Sequence, residues 1–328
     1  MENFKIKNII EDNYNIKVNS VEKVKNTYKI NGFEGYCLKV VKYDFPHFYF
    51  IYSVISHIAN NNGRVLDFIK TKSSKDYIRF SEGYAYLTPW IESRSANFND
   101  LDEVKNISKE IAYLHKASEG FVIKPAMRPR VNWFSWINVF KTRKEEILDF
   151  EKRINQKISK DYFDNLYLDN IDRELYLADL SIDDLEKSKY KEVMSEDLMR
   201  LCVCHHDLAD HNILLDKDEN VTFIDFDYCI LDSYLHDLSS FLVRVLRVNN
   251  WDEKIAYEII NSYSEINSID TEKLNVMKGF IRYPQGFWQL GLQAYWERQP
   301  WESEKFNKRL EKYIIESKYR EKFIEKFY

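Results

Sequence analysis

Glycine is scarce in this chain, with 8 in 328 residues, and no proline- or glycine-rich linker, internal repeat or low-complexity tract interrupts it. The four cysteines, at positions 37, 202, 204 and 229, supply one C-x-C and no C-x-x-C pair. A zinc ribbon therefore lacks its ligand spacing, and free thiols in a reducing compartment are expected. Long apolar runs are missing too. The longest, FYFIYSVISHIA at 48–59, is too short to cross a bilayer. The opening MENFKIKNIIEDNYNI has acids near its start and no apolar centre of the signal-peptide kind. These features predict a soluble protein made in the cytoplasm, with no membrane partner. Excess positive charge is also absent: the formal net charge is -5, so no basic surface dominates and no nucleic-acid partner is expected. The patch RPRVNW at 128–133 is balanced by acidic runs.

Aromatic residues are plentiful, at 16%, alongside abundant Lys, Asn and Ile, a mixture that an AT-rich genome produces as readily as function does. The first ninety residues read mostly as strands. TYKI (27–30), NGFEG and YCLKVVKY (36–43) form a hairpin, and DYIRF–SEG–YAYLTPWI (76–91) forms a second. Between them PHFYFIYSVISHIANNNG predicts a helix ending at Gly63. Beyond Trp90 the period changes. Asn99 or Asp100 can cap a helix whose apolar positions Leu101, Val104, Ile107, Ile111 and Leu114 recur at three and four. Helical stretches are predicted at about 134–158 and 181–200, a short strand at CVC (202–204), a hairpin NILL–DKDEN–VTFIDF (212–226), and helix after Leu235. The expected fold is α+β and bilobal: residues 1–91 as a small β-rich lobe, residues 92–328 as a larger helical lobe.

The run HHDLADHNILLD at 205–216 carries the chemistry. A metal hydrolase of the H-x-H-x-D-H kind would want His, His and Asp where Cys204, His206 and Leu208 stand, and it fails decisively at the third, where leucine offers no ligand. An all-helical His-Asp phosphohydrolase is opposed by the hairpin that follows His206-Asp207. A phosphotransferase asks for H-x-D-x-x-x-x-N and then an Asp after a short hairpin. His205, Asp207 and Asn212 meet the first part and Asp225 the second. In such a site the first Asp accepts the proton of an attacking hydroxyl, and Asn and the second Asp offer hard oxygens to Mg²⁺. A single Asp or Asn in a loop is usually a turn former. Three at this spacing, between a strand and a hairpin, are specific.

HHDLADHNILLD, FIDFD and HDLSSF together resemble the aminoglycoside and choline phosphotransferase superfamily. YLTPWIESR, IAYLHKAS and RYPQGFWQLGLQAYWERQPW look most like its CotS-type spore-coat kinase-like proteins. The resemblance implies a protein-kinase-like fold, ATP and Mg²⁺ as cofactors, a small-molecule hydroxyl acceptor, and spore-coat proteins as partners after cytoplasmic synthesis. It assigns Asp207 as catalytic base, His205 as a brace of its loop, Asn212 and Asp225 as metal ligands, and Asp237 as a structural acid. It places Lys39 on the nucleotide phosphates and the connector Thr88, Trp90 and Ile91 beside adenine. Three departures stand out. The loop expected over the phosphates, near VEKVKNTYKI, has no glycine. Positions 45–62 hold no acid to orient Lys39. His206 stands where the family has glycine. A kinase-fold structural protein of the coat is therefore the alternative to an enzyme. Trp288, Tyr295, Trp296 and Glu297 are read either as an aromatic acceptor wall or as packing of the last helices, with packing preferred. Asp210 and Tyr228 lie closer to the chemistry.

Overall fold

The computed structural model describes residues 3–80, 83–300 and 302–327, so Ser81 and Glu82 of the second hairpin's turn and Trp301 lie outside the described residues. The chain forms two compact units, Met1–Asn97 with Glu110–Val131 and Leu201–Leu231, and Phe98–Lys109 with Asn132–Arg200 and Asp232–Tyr328. The motif segment Leu201–Leu231 groups with the N-terminal residues, where Arg94–Ser95 pairs with Leu214–Leu215 and Val65 bridges to Phe223, so the compact units differ from a cut at residue 91.

In the first unit, α1 (Asn3–Asn13) precedes a five-stranded antiparallel sheet of order β1-β2-β3-β5-β4. Its strands are β1 (Ser20–Val24), β2 (Thr27–Asn31), β3 (Gly35–Val41), β4 (Ile78–Phe80) and β5 (Gly83–Pro89). Both expected hairpins are present. The period of two sorts the residues of β5. Ala85 and Leu87 join Leu38, Ile30 and the α1 residues Ile6 and Ile10 in one buried cluster. Tyr84 and Tyr86 turn the other way and stack on Phe48 of α2 (Phe45–Asn60), with ring centroids 4.7 Å and 6.4 Å away. Lys39 pairs with Tyr86 across the ladder, so it points to the α2 face. Asp44 caps α2 by accepting from His47 N–H, and Pro46 sits in its first turn. The helix stops close to the predicted Gly63, whose N–H donates to Ile58 O at 2.8 Å.

The same unit contains β6 (Arg94–Ser95), β7 (Val203–Cys204), β8 (Ile213–Leu215), β9 (Val221–Phe223) and β10 (Ile230–Leu231). β8 and β9 make the predicted hairpin, β6 adds to its edge, and β7 pairs with β10. The two short ribbons hold both ends of the motif segment. α1 was not anticipated: its polar residues mask a stripe of only two buried side chains, Ile6 and Ile10.

The second unit is helical. α3 (Leu101–Ser118) starts in it, and Asp100 rather than Asn99 accepts from Glu103 N–H at 3.1 Å. There follow α4 (Trp136–Asn155), α5 (Tyr162–Lys187), α6 (Tyr190–Arg200), α7 (Tyr234–Val248), α8 (Glu253–Ser264), α9 (Thr271–Arg282), α10 (Gln285–Gly291) and α11 (Ser303–Lys326). A wider π turn at Leu292–Trp296 continues α10. α5 extends well before the predicted 181. Its first turns carry a capping box between Asp161 and Asp164, and Tyr167 and Ile171 enter a core with Phe150, Phe287 and Leu310. Among the described residues, no helix is long and apolar enough to cross a membrane.

Candidate active site

His205 organises the site. Its ring is buried, with Nε2 2.9 Å from Ile224 O and Nδ1 accepting the Asp207 N–H at 3.2 Å. A carbonyl only accepts, so Nε2 carries the hydrogen and Nδ1 is bare, which defines a neutral ring in one tautomer. Phe226 packs on it at 4.4 Å. One side chain thus ties the loop bearing Asp207 to the strand end that leads into Asp225. His206 next to it has φ +70°. That left-handed conformation explains why glycine is the usual residue in the resembling pattern.

Asn212 is buried at the end of a 3₁₀ turn, Asp210–Asn212. Its Nδ2 donates to Asp207 O and to Asp207 Oδ2, both at 3.0 Å, and Ile224 N–H donates to its carbonyl at 3.0 Å. With Nδ2 committed, Oδ1 is the amide atom left to face a cation. Asp225 is left-handed as well, at φ 67° and ψ 63°. A non-glycine residue held there costs about 1–3 kcal/mol and marks an over-determined position.

Lys39 reaches across from β3. Its Nζ donates to Asp225 Oδ1 and to Asp227 Oδ1, each at 2.6 Å, and Tyr43 Oη donates to Asp227 Oδ2 at 3.0 Å. The Asp225 side chain stays 45% exposed whereas Lys39 and Asp227 are 14% and 18%, so Asp225 is the carboxylate open to an incoming ion. Burial alone would discharge Lys39, but Tyr86, Asp227 and Asp225 outweigh it and hold the ammonium above lysine's ordinary value. Asp225 loses ground to burial, yet Lys39 leaves it below the usual carboxylate range. Burial and Asp227 push the Tyr43 hydroxyl up to about 12.

The sequence motif thus comes together as two hydrogen-bonded groups, His205–Asp207–Asn212 and Lys39–Asp225, which meet at Ile224, bonded to His205 and Asn212 and next to Asp225 in the chain. Asp227 and Tyr43 were missed. The signal was present in FIDFD, where a second acid follows Asp225 two residues on, on a chain whose α2 has no acid to offer. Of the connector, Thr88 is buried opposite Cys37 and shares the strand face of Lys39. Trp90 N–H donates to Gly35 O at 2.9 Å, and its ring lies under Lys29 at 4.5 Å, while Ile91 is half-buried. The loop expected over phosphates is a two-residue turn, Lys25-Asn26, between β1 and β2, with Lys25 at φ 51°.

Other candidates fall elsewhere. Asp237 is buried in the first turn of α7. Asp210 is exposed beside His211, and exposed Tyr228 lies under Arg130. Trp288 and Tyr295 pack with the helical core, and Trp288, Tyr295 and Trp296 donate to Glu146, Asp164 and Asp149 respectively. Glu297 is exposed and accepts from Gln299. These aromatics pin α10 and its π turn to α4 and α5, as the packing reading held.

Residues 58–316 match the family model for choline/ethanolamine kinase, so the chain belongs to that family. No curated protein sequence matches it. Among solved structures, an aminoglycoside phosphotransferase from Alicyclobacillus acidocaldarius is 20% identical with a TM-score of 0.86, over 98% of this chain and 94% of that one. A spectinomycin phosphotransferase in complex with ADP and spectinomycin is 16% identical with a TM-score of 0.67, over 96% and 98%. Choline kinase LicA from Streptococcus pneumoniae is 16% identical with a TM-score of 0.54, over 97% and 98%. At these identities the likeness establishes the fold, which is the α+β aminoglycoside phosphotransferase fold expected from the motifs. The family match makes the chain a homologue of small-molecule phosphotransferases.

Proposed function

We propose that the chain is an ATP- and Mg²⁺-dependent phosphotransferase acting on the hydroxyl of a small molecule. The observation that carries this reading is the hydrogen-bonded set Lys39–Asp225 and His205–Asp207–Asn212, joined through Ile224. Asp207 accepts the proton of the acceptor hydroxyl and aims the oxygen at the γ-phosphorus. Asn212 holds the Asp207 carboxylate in place through Nδ2. Lys39 contacts the nucleotide phosphates, and Thr88, Trp90 and Ile91 form the connector beside the base.

The donor set fits a hard cation. Among the described residues no three His, Cys, Asp or Glu side chains gather into a metal cage. One amide oxygen and one half-exposed carboxylate suit Mg²⁺, which keeps waters and shares substrate phosphates instead of filling an all-protein cage. Asn212 Oδ1 and Asp225 would hold it, and when bound it would offset the charge on the phosphoryl group in transfer. A thermal shift in Mg-ATP that disappears when chelator replaces Mg²⁺ tests the reading. ATP turnover across sugars, amino alcohols and aminoglycosides then searches for the acceptor. Absence of both Mg-dependent binding and turnover would sink it.

Deposition in the spore coat belongs to the same proposal and rests on the CotS-like segments YLTPWIESR, IAYLHKAS and RYPQGFWQLGLQAYWERQPW, the last ending at the undescribed Trp301. A second reading, a kinase-fold coat protein with little or no turnover, is favoured by one observation. The tight Lys25-Asn26 turn supplies no glycine loop for close backbone approach to phosphate.

A further inference from the structure

We infer that Asp227 takes over the task of the acid that α2 lacks, as the positioning residue that holds Lys39 on the nucleotide phosphates once Asp225 is engaged by metal. This rests on the phosphotransferase reading. The argument starts from supply. Residues 45–62 contain no carboxylate, and Asp44, just before α2, is spent on its cap and on Arg128. Lys39 instead lies between two aspartates of one 3₁₀ turn, each 2.6 Å away.

The two are not equivalent. Asp225 is the more exposed and is the carboxylate a cation would claim. Asp227 is mostly buried, and its second oxygen accepts from Tyr43, so its orientation does not depend on Lys39. When Asp225 turns to a metal, the ammonium keeps a fixed partner and stays aimed. Without Asp227 the ammonium would follow Asp225 or swing free, and a loose cation is a poor phosphate clamp.

ADP binding measured by calorimetry, with EDTA and with Mg²⁺, separates the roles. Asp227→Asn should weaken ADP binding about tenfold with Mg²⁺, when Asp225 is engaged by the metal, and less with EDTA, when Asp225 still holds Lys39; Asp227→Glu, which keeps the charge, should recover part of the lost affinity. Tyr43→Phe should weaken ADP binding about threefold, through loss of one hydrogen bond, and this variant carries the test should Asp227→Asn fail to fold. Asp225→Asn should leave metal-free binding near wild type and abolish the gain from Mg²⁺. Recovery of wild-type ADP affinity by Asp227→Asn at saturating Mg²⁺ would make Asp227 a metal ligand and overturn the inference. Unchanged ADP affinity in folded Asp227→Asn would overturn it as well, while the phosphotransferase reading survived. Wild-type protein that binds no nucleotide in either condition would overturn both.

Discussion

Asp225 and Asp232 are the same residue type, a few positions apart in sequence, and they belong to different compact units. Asp225 is left-handed and half-exposed, and Lys39 beside it holds its carboxyl below the ordinary range against the pull of burial. Asp232 is fully buried, and burial pushes its carboxyl above that range, although His236, Asn132 and Trp136 pull the other way. Asn132 Nδ2 donates to it at 2.8 Å, and so does Ser233 N–H, with Trp136 Nε1 at 3.0 Å. The first is kept ionised and reachable, as the proposed ligand role requires. The second is kept satisfied and out of reach, as a structural node must be. Glu174 repeats the second pattern, fully buried with Tyr313 and Arg320. Charge alone does not mark a site.

The largest expected effect bears on the chemistry. Asp207→Asn should keep nucleotide binding and stability while cutting phosphoryl transfer about 10²–10⁴-fold, since an amide accepts no proton. Single-turnover rates beside calorimetric affinities would check it. An equal loss of ATP affinity would move Asp207 out of the base role.

Next comes the structural side. Asp232→Ala should remove about 3 kcal/mol or more, because Trp136 and Asn132 lose a buried acceptor together. Asp225→Ala should cost about 1 kcal/mol or less, as expected for a half-exposed pair. Urea unfolding of both would show the contrast, and similar losses for the two would erase it.

The pH dependence should carry opposite signs. A depressed carboxyl such as Asp225 adds stability above its unfolded pKa, about 3.9, and loses it as pH falls through the lower folded value. Lys39, raised, contributes below about 10.4 and loses that contribution only as pH rises through its higher folded value. The pair is therefore flat across neutrality. Asp232, raised, makes stability fall as pH climbs from about 3.9 through its folded value. Comparing wild type with Asp232→Asn over that interval should show the slope vanish in the variant, and an unchanged slope would contradict the burial argument.

The smallest effect concerns backbone. His206→Gly should leave the fold intact and raise stability by up to about 1 kcal/mol, by relieving the left-handed residue. A clear loss on thermal melting would mean that the imidazole's contacts outweigh the strain.

Much of this was legible beforehand. HHDLADHNILLD and FIDFD marked the site because a short loop and a hairpin bring their ends together whatever surrounds them. The two N-terminal hairpins and α2 were readable from period and turn residues. α1 was not, since its stripe of Ile6 and Ile10 is too thin to stand out, and α5 was only partly seen, because its buried face shows only against α4, α9 and the last helices.

By itself, then, the sequence determined the fold class and the close spacing of Asp207, Asn212 and Asp225, which rest on neighbours along the chain. Only the tertiary structure decided that Asp227 joins Asp225 on Lys39. Its partner Asp227 lies 188 positions away, and no local pattern can choose among distant acids. Only the register of β3 against β5, and the short ribbons that carry Leu201–Leu231, bring that carboxylate within reach. Tertiary structure likewise assigned Trp288, Tyr295 and Trp296 to packing, because three acids on α4 and α5 meet their polar atoms. A burial pattern names the face a side chain takes. The hydrogen bond it finds there is set by whatever the fold puts opposite.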